Sequence, residues 1–374
     1  MAAMSQKKTE TNQPRSPLTF GVEFEFLVAR FGNETDDAHL SDEDGWDKVA
    51  RGLQTSLSAN GFPATISSLE YTTWNIKRDY SVNNAGLEQH VDGHQVYGWH
   101  DVEVTTPILQ FIPTDVKKVV DFCTLITSTY VTAVNASCGL HVHIGNAEGY
   151  RFADVQKFIA LMYAFEPQFD TINPSQRYNG KFSLAMRESS RMACEHHRST
   201  GRRLPAVEGV ARILQTRSLR KLSELVEAQE LRGSVAFRLD HLCLNAVTRG
   251  KVSKPTVESR AHVGTLDGAA VRAWIQTQAG IMQWCVDHSF AELLGLLENM
   301  HKEAWEKEGD GDDAAREQRL GPTVADGAFT VVQLLETMGL VDPARYYQER
   351  GLYKIVKTVP IDSRERKYSI HSDD

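Results

Sequence analysis

From Thr19 onward apolar and polar residues alternate: Phe20, Val22, Phe24 and Phe26 share one face, and Gly21, Glu23 and Glu25 the other. A period of two predicts a half-buried strand. The same alternation recurs over Gly139–Gly145 (GLHVHIG) and over VESRAHV, residues 257–263. Residues 66–104 read as short strands parted by turns at Asn83-Asn84-Ala85-Gly86 and Val91-Asp92-Gly93. The last of them, HDVEV, carries Glu103 and stops before Pro107.

Helical spacing replaces alternation elsewhere. Trp46, Val49, Ala50, Leu53 and Leu57 follow an acidic loop over 31–45 and run to a stop at Asn60–Gly61. Val116, Val119, Val120, Cys123 and Ile126 make a second apolar stripe, with Thr114 as the predicted cap. Phe152, Val155, Phe158, Ile159, Met162 and Phe165 make a third, ended by Pro167. Leu219–Leu231 is predicted helical and Ser234–Val247 strand-like, and a helix passes through Trp274, Ile275, Met282 and Cys285. Residues 171–215 are charged and weakly periodic, which predicts a long functional loop with some helix; the 171–200 part is the candidate lid. Gln333–Met338 and Ala344–Tyr347 predict a small helical cap. There is no internal repeat, no βαβ rhythm and no glycine-rich phosphate loop after the first strand. The expected fold class is therefore α+β with a largely antiparallel sheet.

Composition narrows the function classes. The 374 residues are 41% hydrophobic, enough for a substantial core, and the formal net charge is −8. No basic stripe is visible, so nucleic acid is not an expected partner. No stretch is apolar enough to span a bilayer, which argues against a membrane protein. The opening MAAMSQKKTETNQPRSP has no apolar signal region and predicts a disordered tail over residues 1–17. Five cysteines are scattered without paired spacing, which predicts a reducing, cytoplasmic setting. Residues 301–328 are highly charged and predict a solvated segment, so the expected division is 18–300 for the catalytic domain and 301–374 for a charged loop and cap.

The chemistry lies in what the strands put on their polar face. Glu23 and Glu25 stand at i and i+2, as do His141 and His143, and Glu258 and Arg260, so each pair projects from one side of its strand. A merely solvated face would carry mixed, tolerant side chains; this one is repeatedly carboxylate, imidazole or guanidinium. Taken singly, Glu-x-Glu reads as a solvated edge, His-Val-His as a packed pair and Glu-x-Arg as a surface ion pair. Taken together and in order, they fit a hard divalent cation such as Mg²⁺ or Mn²⁺ that keeps waters and phosphate oxygens as further ligands.

GVEFEF, WNIKRDYSV, VEVTTP, CGLHVHIG, PSQRYN and TVESRAHVGTLD, in this order from about Leu18 to Trp284, resemble the amidoligase family, a branch of the glutamine synthetase and glutamate–cysteine ligase superfamily. The resemblance implies a curved, glutamine-synthetase-like catalytic sheet covered by helices, and an ATP- and Mg²⁺-dependent enzyme joining a carboxylic acid to an amine. It implies that Glu25 and Glu103 hold one metal and that Glu23, His141 and Glu258 hold another. His143 would lie beside the nucleotide phosphates and Arg260 would bind the transferring phosphoryl group. Arg177 would touch phosphate or substrate carboxylate, and Asp79 would help hold the amine or a metal-bound water. The chain departs from the family's Glu-Phe-Arg in having Ser259, a core-side position that removes no ligand. A metal-dependent hydrolase and a non-catalytic nucleotide- or metal-binding module stay open as alternatives. The sequence does not fix the acid, the amine, the general base or the oligomeric state.

Overall fold

The alternation at the N-terminus becomes β1 (Thr19–Phe31), the central strand of the sheet. The computed structural model describes residues 17–31, 42–68, 70–84, 86–87, 90–91, 94–173, 177, 182–228, 235–243, 255–302 and 329–352. Residues 1–16 of the tail expected over 1–17, and residues 303–328 of the charged segment expected over 301–328, lie outside these residues.

After β1 come α1 (Asp42–Ala59), β2 (Ala64–Ile66), β3 (Trp74–Lys77), β4 (His90–Val91), β5 (His94–Thr105) and β6 (Leu109–Gln110). Then follow α2 (Pro113–Thr129), β7 (Thr132–Ala133), β8 (Gly139–Gly145), α3 (Phe152–Ala164) and α4 (Glu166–Asp170). The helices α5 (Met186–Ser189), α6 (Arg191–Thr200), α7 (Ala206–Gln215) and α8 (Leu219–Val226) lead to β9 (Phe237–Arg238) and α9 (Asp240–Cys243). The chain closes with β10 (Thr256–Val263), α10 (Gly268–Asp287), α11 (Phe290–Leu297), α12 (Val331–Thr337) and α13 (Val341–Glu349). The strands pair in the order β2-β3-β5-β1-β8-β10-β9, antiparallel except between β2 and β3. Mixed α and β with a mostly antiparallel open sheet agrees with the expected class.

One face of this sheet is apolar. Phe20, Val22, Phe24 and Phe26 of β1, Val102 and Val104 of β5, and Leu140, Val142 and Ile144 of β8 join a single core with α1, α2, α3 and α10. Phe122 of α2 stacks on Trp74 with ring centroids 4.5 Å apart and meets Phe24 at 5.0 Å. No helix among the described residues is long and apolar enough to cross a membrane.

Several expected details change. Residues 182–215 are mostly helical and not a loop: Ser190 accepts the Ala193 N–H to start α6, and α7 buries Val210 and Ile213. The lid expected over 171–200 is anchored in its described part from 182 onward, because the buried Glu166 side chain accepts the N–H groups of Met186 and Arg187, and Met186 and Met192 are fully buried. The helix expected from Thr114 begins at Pro113 and has no side-chain cap, since proline at the first position needs no partner for an N–H it lacks. Pro167 stands in the first turn of α4 instead of merely ending α3. Of the strand expected over 234–247, the described residues 235–243 hold two residues of β9 followed by the turn of α9, and the rest lies outside the described residues. The stop of α1 holds, with Gly61 at φ +83°, a backbone conformation that favours glycine.

Candidate functional site

In an antiparallel pair, opposed residues send their side chains to the same face. The register therefore assembles the polar face row by row. Lys77 opposes Glu103, which opposes Glu25. Asn75 opposes Thr105, which opposes Glu23, which opposes His141. Gly21 opposes His143, which opposes Glu258, which opposes Arg238. A break in register between Ser259 and His262 lets Arg260 lean toward His141. Its Nη1 lies 2.7 Å from Glu258 Oε1 and 3.4 Å from His141 Nδ1.

The centre is a dense ionic cluster. His141 Nδ1 stands 3.5 Å from Glu23 Oε2 and 3.9 Å from Glu258 Oε1, and its Nε2 stands 3.4 Å from Glu25 Oε1. Glu23, His141 and Glu258 each offer a ligand atom, all within 4.8 Å of one another. Two carboxylates and one imidazole fit a Mg²⁺ or Mn²⁺ ion with open positions, provided that the Arg260 guanidinium, now against Glu258 Oε1 and His141 Nδ1, gives way to it. Glu25 and Glu103 are cross-strand neighbours, but Glu103 accepts from Lys77 Nζ at 3.0 Å and from Thr105 Oγ1 at 2.9 Å. The fit of a second cation there is poorer, since the lysine ammonium already neutralises one of the two carboxylates.

Burying this much charge shifts the protonation of the cluster. Burial, with Asp79's charge, pushes the Glu25 carboxyl up to about 8, against Arg260, the Gly139 N–H and Arg177. Burial and then Glu23 also raise Glu103, with Lys77 opposing. Burial would raise Glu258 as well, but the His241 hydrogen bond and the charges of His143 and Arg260 hold it well below the usual carboxylate range. Burial lowers His141, which favours the neutral imidazole a metal requires. The proton that Glu25 holds near neutral pH is what a cation bound beside it would replace.

Each expected site residue has a definite place. Glu23, Glu25, Glu103, His141, His143, Glu258 and Arg260 share the polar face. Asp79 sits at its edge, with Oδ1 accepting the Ser81 N–H, near enough to act on Glu25. Arg177 is not on the open face: it is 4% exposed and donates to the carbonyls of Cys138 and Arg260. Burial lowers it to about 10. Lys77, Arg238 and His241 are site residues that the sequence reading did not assign. Lys77 could have been found, because Trp74 and Ile76 alternate with Asn75 and Lys77; His241, on one turn of helix, carries no periodic signal.

Gly139 keeps two of these groups in place. A Cβ there would lie 2.6 Å from His141 Nε2 and 2.7 Å from Arg177 Nη2. Gly139→Ala is expected to cost about 1–3 kcal/mol by overpacking, and to weaken Mn²⁺ binding by displacing the imidazole. Thermal melting and Mn²⁺ titration check this; a wild-type melt with wild-type affinity would show that both side chains move aside freely.

A family model described as "Putative amidoligase enzyme" matches residues 16–282, which takes in β1 through most of α10 and therefore every residue of the polar face. No curated protein matches the chain.

Proposed function

Because this chain belongs to the amidoligase family, a family of ligase-type enzymes, we propose that it is an ATP- and Mg²⁺-dependent carboxylate–amine ligase that forms an amide through an acyl-phosphate. The substrates would be a small carboxylic acid and an amine, in the cytoplasm, on a sheet of the glutamine synthetase kind. The single observation that carries this reading is the Glu23–His141–Glu258 ligand set with the Arg260 guanidinium against it. A hydrolase that activates water has no need of that arginine.

Glu23, His141 and Glu258 would hold the Mg²⁺ that accompanies the nucleotide, and Glu25 with Glu103 would hold a second if Lys77 yields its partner. Bound there, Mg²⁺ neutralises charge on the phosphate oxygens. Arg260 would turn one edge of its fork to the transferring phosphoryl group while the other edge stays on Glu258. His143, on the same row as Glu258, would face the phosphates. Arg177 would act as a positioning residue: by tying the carbonyl of Cys138, just before β8, to that of Arg260, within β10, it holds the two strands together beside the site. The proton of the attacking amine would pass to a carboxylate at the other end of the face that holds no metal. Asp79 lies beside that end and would orient the amine.

The nucleotide product tests the reading. With the right acid, ATP and Mg²⁺, ADP and phosphate are expected, and hydroxylamine in place of the amine should trap a hydroxamate. An ¹⁸O label in the acid's carboxylate should appear in inorganic phosphate. Label in AMP, or hydroxamate formed without ATP, would refute the acyl-phosphate route.

A further inference from the structure

Beside the Glu23–His141–Glu258 set lies a second convergence of donors, made by His143, His241 and Glu258, whose ligand atoms also fall within 4.8 Å of one another. We propose that these three residues form a transition-metal site that takes Zn²⁺ in preference to Mg²⁺, and that Zn²⁺ bound there excludes the nucleotide.

The donor chemistry comes first. Two imidazoles and one carboxylate are a borderline set suited to Zn²⁺, whereas Mg²⁺ asks for oxygen. The orientation of His143 supports the same reading. Its Nδ1 is 3.1 Å from Thr256 Oγ1, the kind of outer contact that fixes a ligating ring and presents the other nitrogen. That nitrogen, Nε2, is buried on a residue 4% exposed and makes no aligned hydrogen bond, although Glu23 Oε1 lies 3.0 Å away. Glu258 divides its two oxygens between the sets. Oε1 faces Arg260 and His141, while Oε2 meets His241 Nε2 at 3.0 Å and Arg238 Nη1 at 3.4 Å. The imidazoles of His143 and His241 stand 5.7 Å apart between centroids at 60°, so they are not stacked face to face.

The geometry needs one small adjustment. Ligands of a tetrahedral zinc with bonds of about 2.1 Å are roughly 3.4 Å apart, so a span of up to 4.8 Å must close by about an ångström. His241 can supply it: the residue sits on the single turn of α9, and its side chain is 26% exposed, which also gives the cation a way in. Binding would displace the proton now shared between His241 and Glu258. Exclusion of the nucleotide follows because His143 and Glu258 would serve both; that consequence rests on the ligase reading, and the metal binding does not.

The test uses the full chain stripped of metal and Zn²⁺ alone as the probe, titrated against a chromophoric chelator. Wild type is expected to hold one equivalent, and His241→Ala to weaken it by a hundredfold or more, at the upper end of what altered metal surroundings cost. X-ray absorption of the zinc protein should show two imidazoles. Because His241→Ala could disturb α9, His241→Cys provides a second arm: it should hold zinc tightly and add one sulfur to the absorption spectrum. Zinc affinity indifferent to His241→Ala, a single imidazole in the spectrum, no sulfur in the cysteine variant, or no zinc retained by wild type would each overturn the site. A failed ATP assay leaves these readouts untouched, and a failed zinc titration leaves the ligase reading standing.

Discussion

At about pH 9 and without divalent cations, Glu25→Gln is expected to melt at a higher temperature than wild type, and yet with Mg²⁺ restored to lose nearly all ATP turnover. The two effects have one cause. Glu25 is buried, near Asp79 and within 3.4 Å of His141 Nε2, and its carboxyl is raised from the usual range to about 8. A carboxyl whose folded value lies above its unfolded one binds a proton more readily in the native state. The contribution of Glu25 to wild-type stability should thus be fullest below about pH 4.5, fall as the pH rises through 8, and stay lost beyond it. The deficit is of order a few kcal/mol in the metal-free protein. Glutamine carries no such charge and escapes it. Saturating Mg²⁺ should reverse the order of melting, because the cation stabilises the carboxylate and gives the amide little. Turnover should fall by about a thousandfold or more, since positioned charge on transferring phosphoryl groups supplies most of the catalysis. Melting curves with and without Mg²⁺, and ADP release at each pH, check both halves. A variant less stable than wild type at high pH without metal, or one that keeps its turnover, would remove Glu25 from the site.

That trade-off also explains why so much was legible from sequence. A sheet that buries one face and loads the other with charge must alternate strictly, so β1, β8 and β10 could be read from Phe20–Phe26, Leu140–Ile144 and Val257–Val263. The shared polar face followed, because residues at i and i+2 share a face whatever their neighbours are. Register did not follow. That Glu258 stands between His143 and Arg238, or that Lys77 occupies Glu103, depends on which strands pair and where β10 breaks register. Helices α5 to α7 were read only as a loop with some helix, because Arg187, Arg191 and Arg198 dilute the apolar period, although Ser190, which caps α6, was there to be read; α8 fell where Leu219–Leu231 predicted a helix. Arg177 shows a different limit. Its place in a motif suggested contact with a ligand, while its contacts are two backbone carbonyls. A guanidinium can serve either end, and only the packing decides.

Arg260→Lys separates a phosphoryl clamp from an ion-pair partner. The charge is kept, so Glu258 remains compensated by the substituted ammonium, by His241 and by Arg238, and the melting temperature should barely change. What is lost is the planar fork, with which arginine can hold Glu258 Oε1 at 2.7 Å on one edge and present N–H donors to a phosphoryl oxygen on another. Lysine, a point charge on a flexible stem, would settle on the fixed carboxylate and leave the transferring group without its donor. Arg260 Nε is buried without a hydrogen bond, so the fork has donor capacity that the resting site does not use. Loss of one such contact in the transition state should cost on the order of 3 kcal/mol, about a hundredfold in rate. The loss should fall on kcat more than on the KM for ATP, because the contact strengthens as charge develops. Steady-state ADP release at varied ATP, read beside a melting curve, measures the split. Unchanged kcat in a stably folded Arg260→Lys protein would reduce Arg260 to the structural partner of Glu258 and leave phosphoryl transfer to the metal ligands alone.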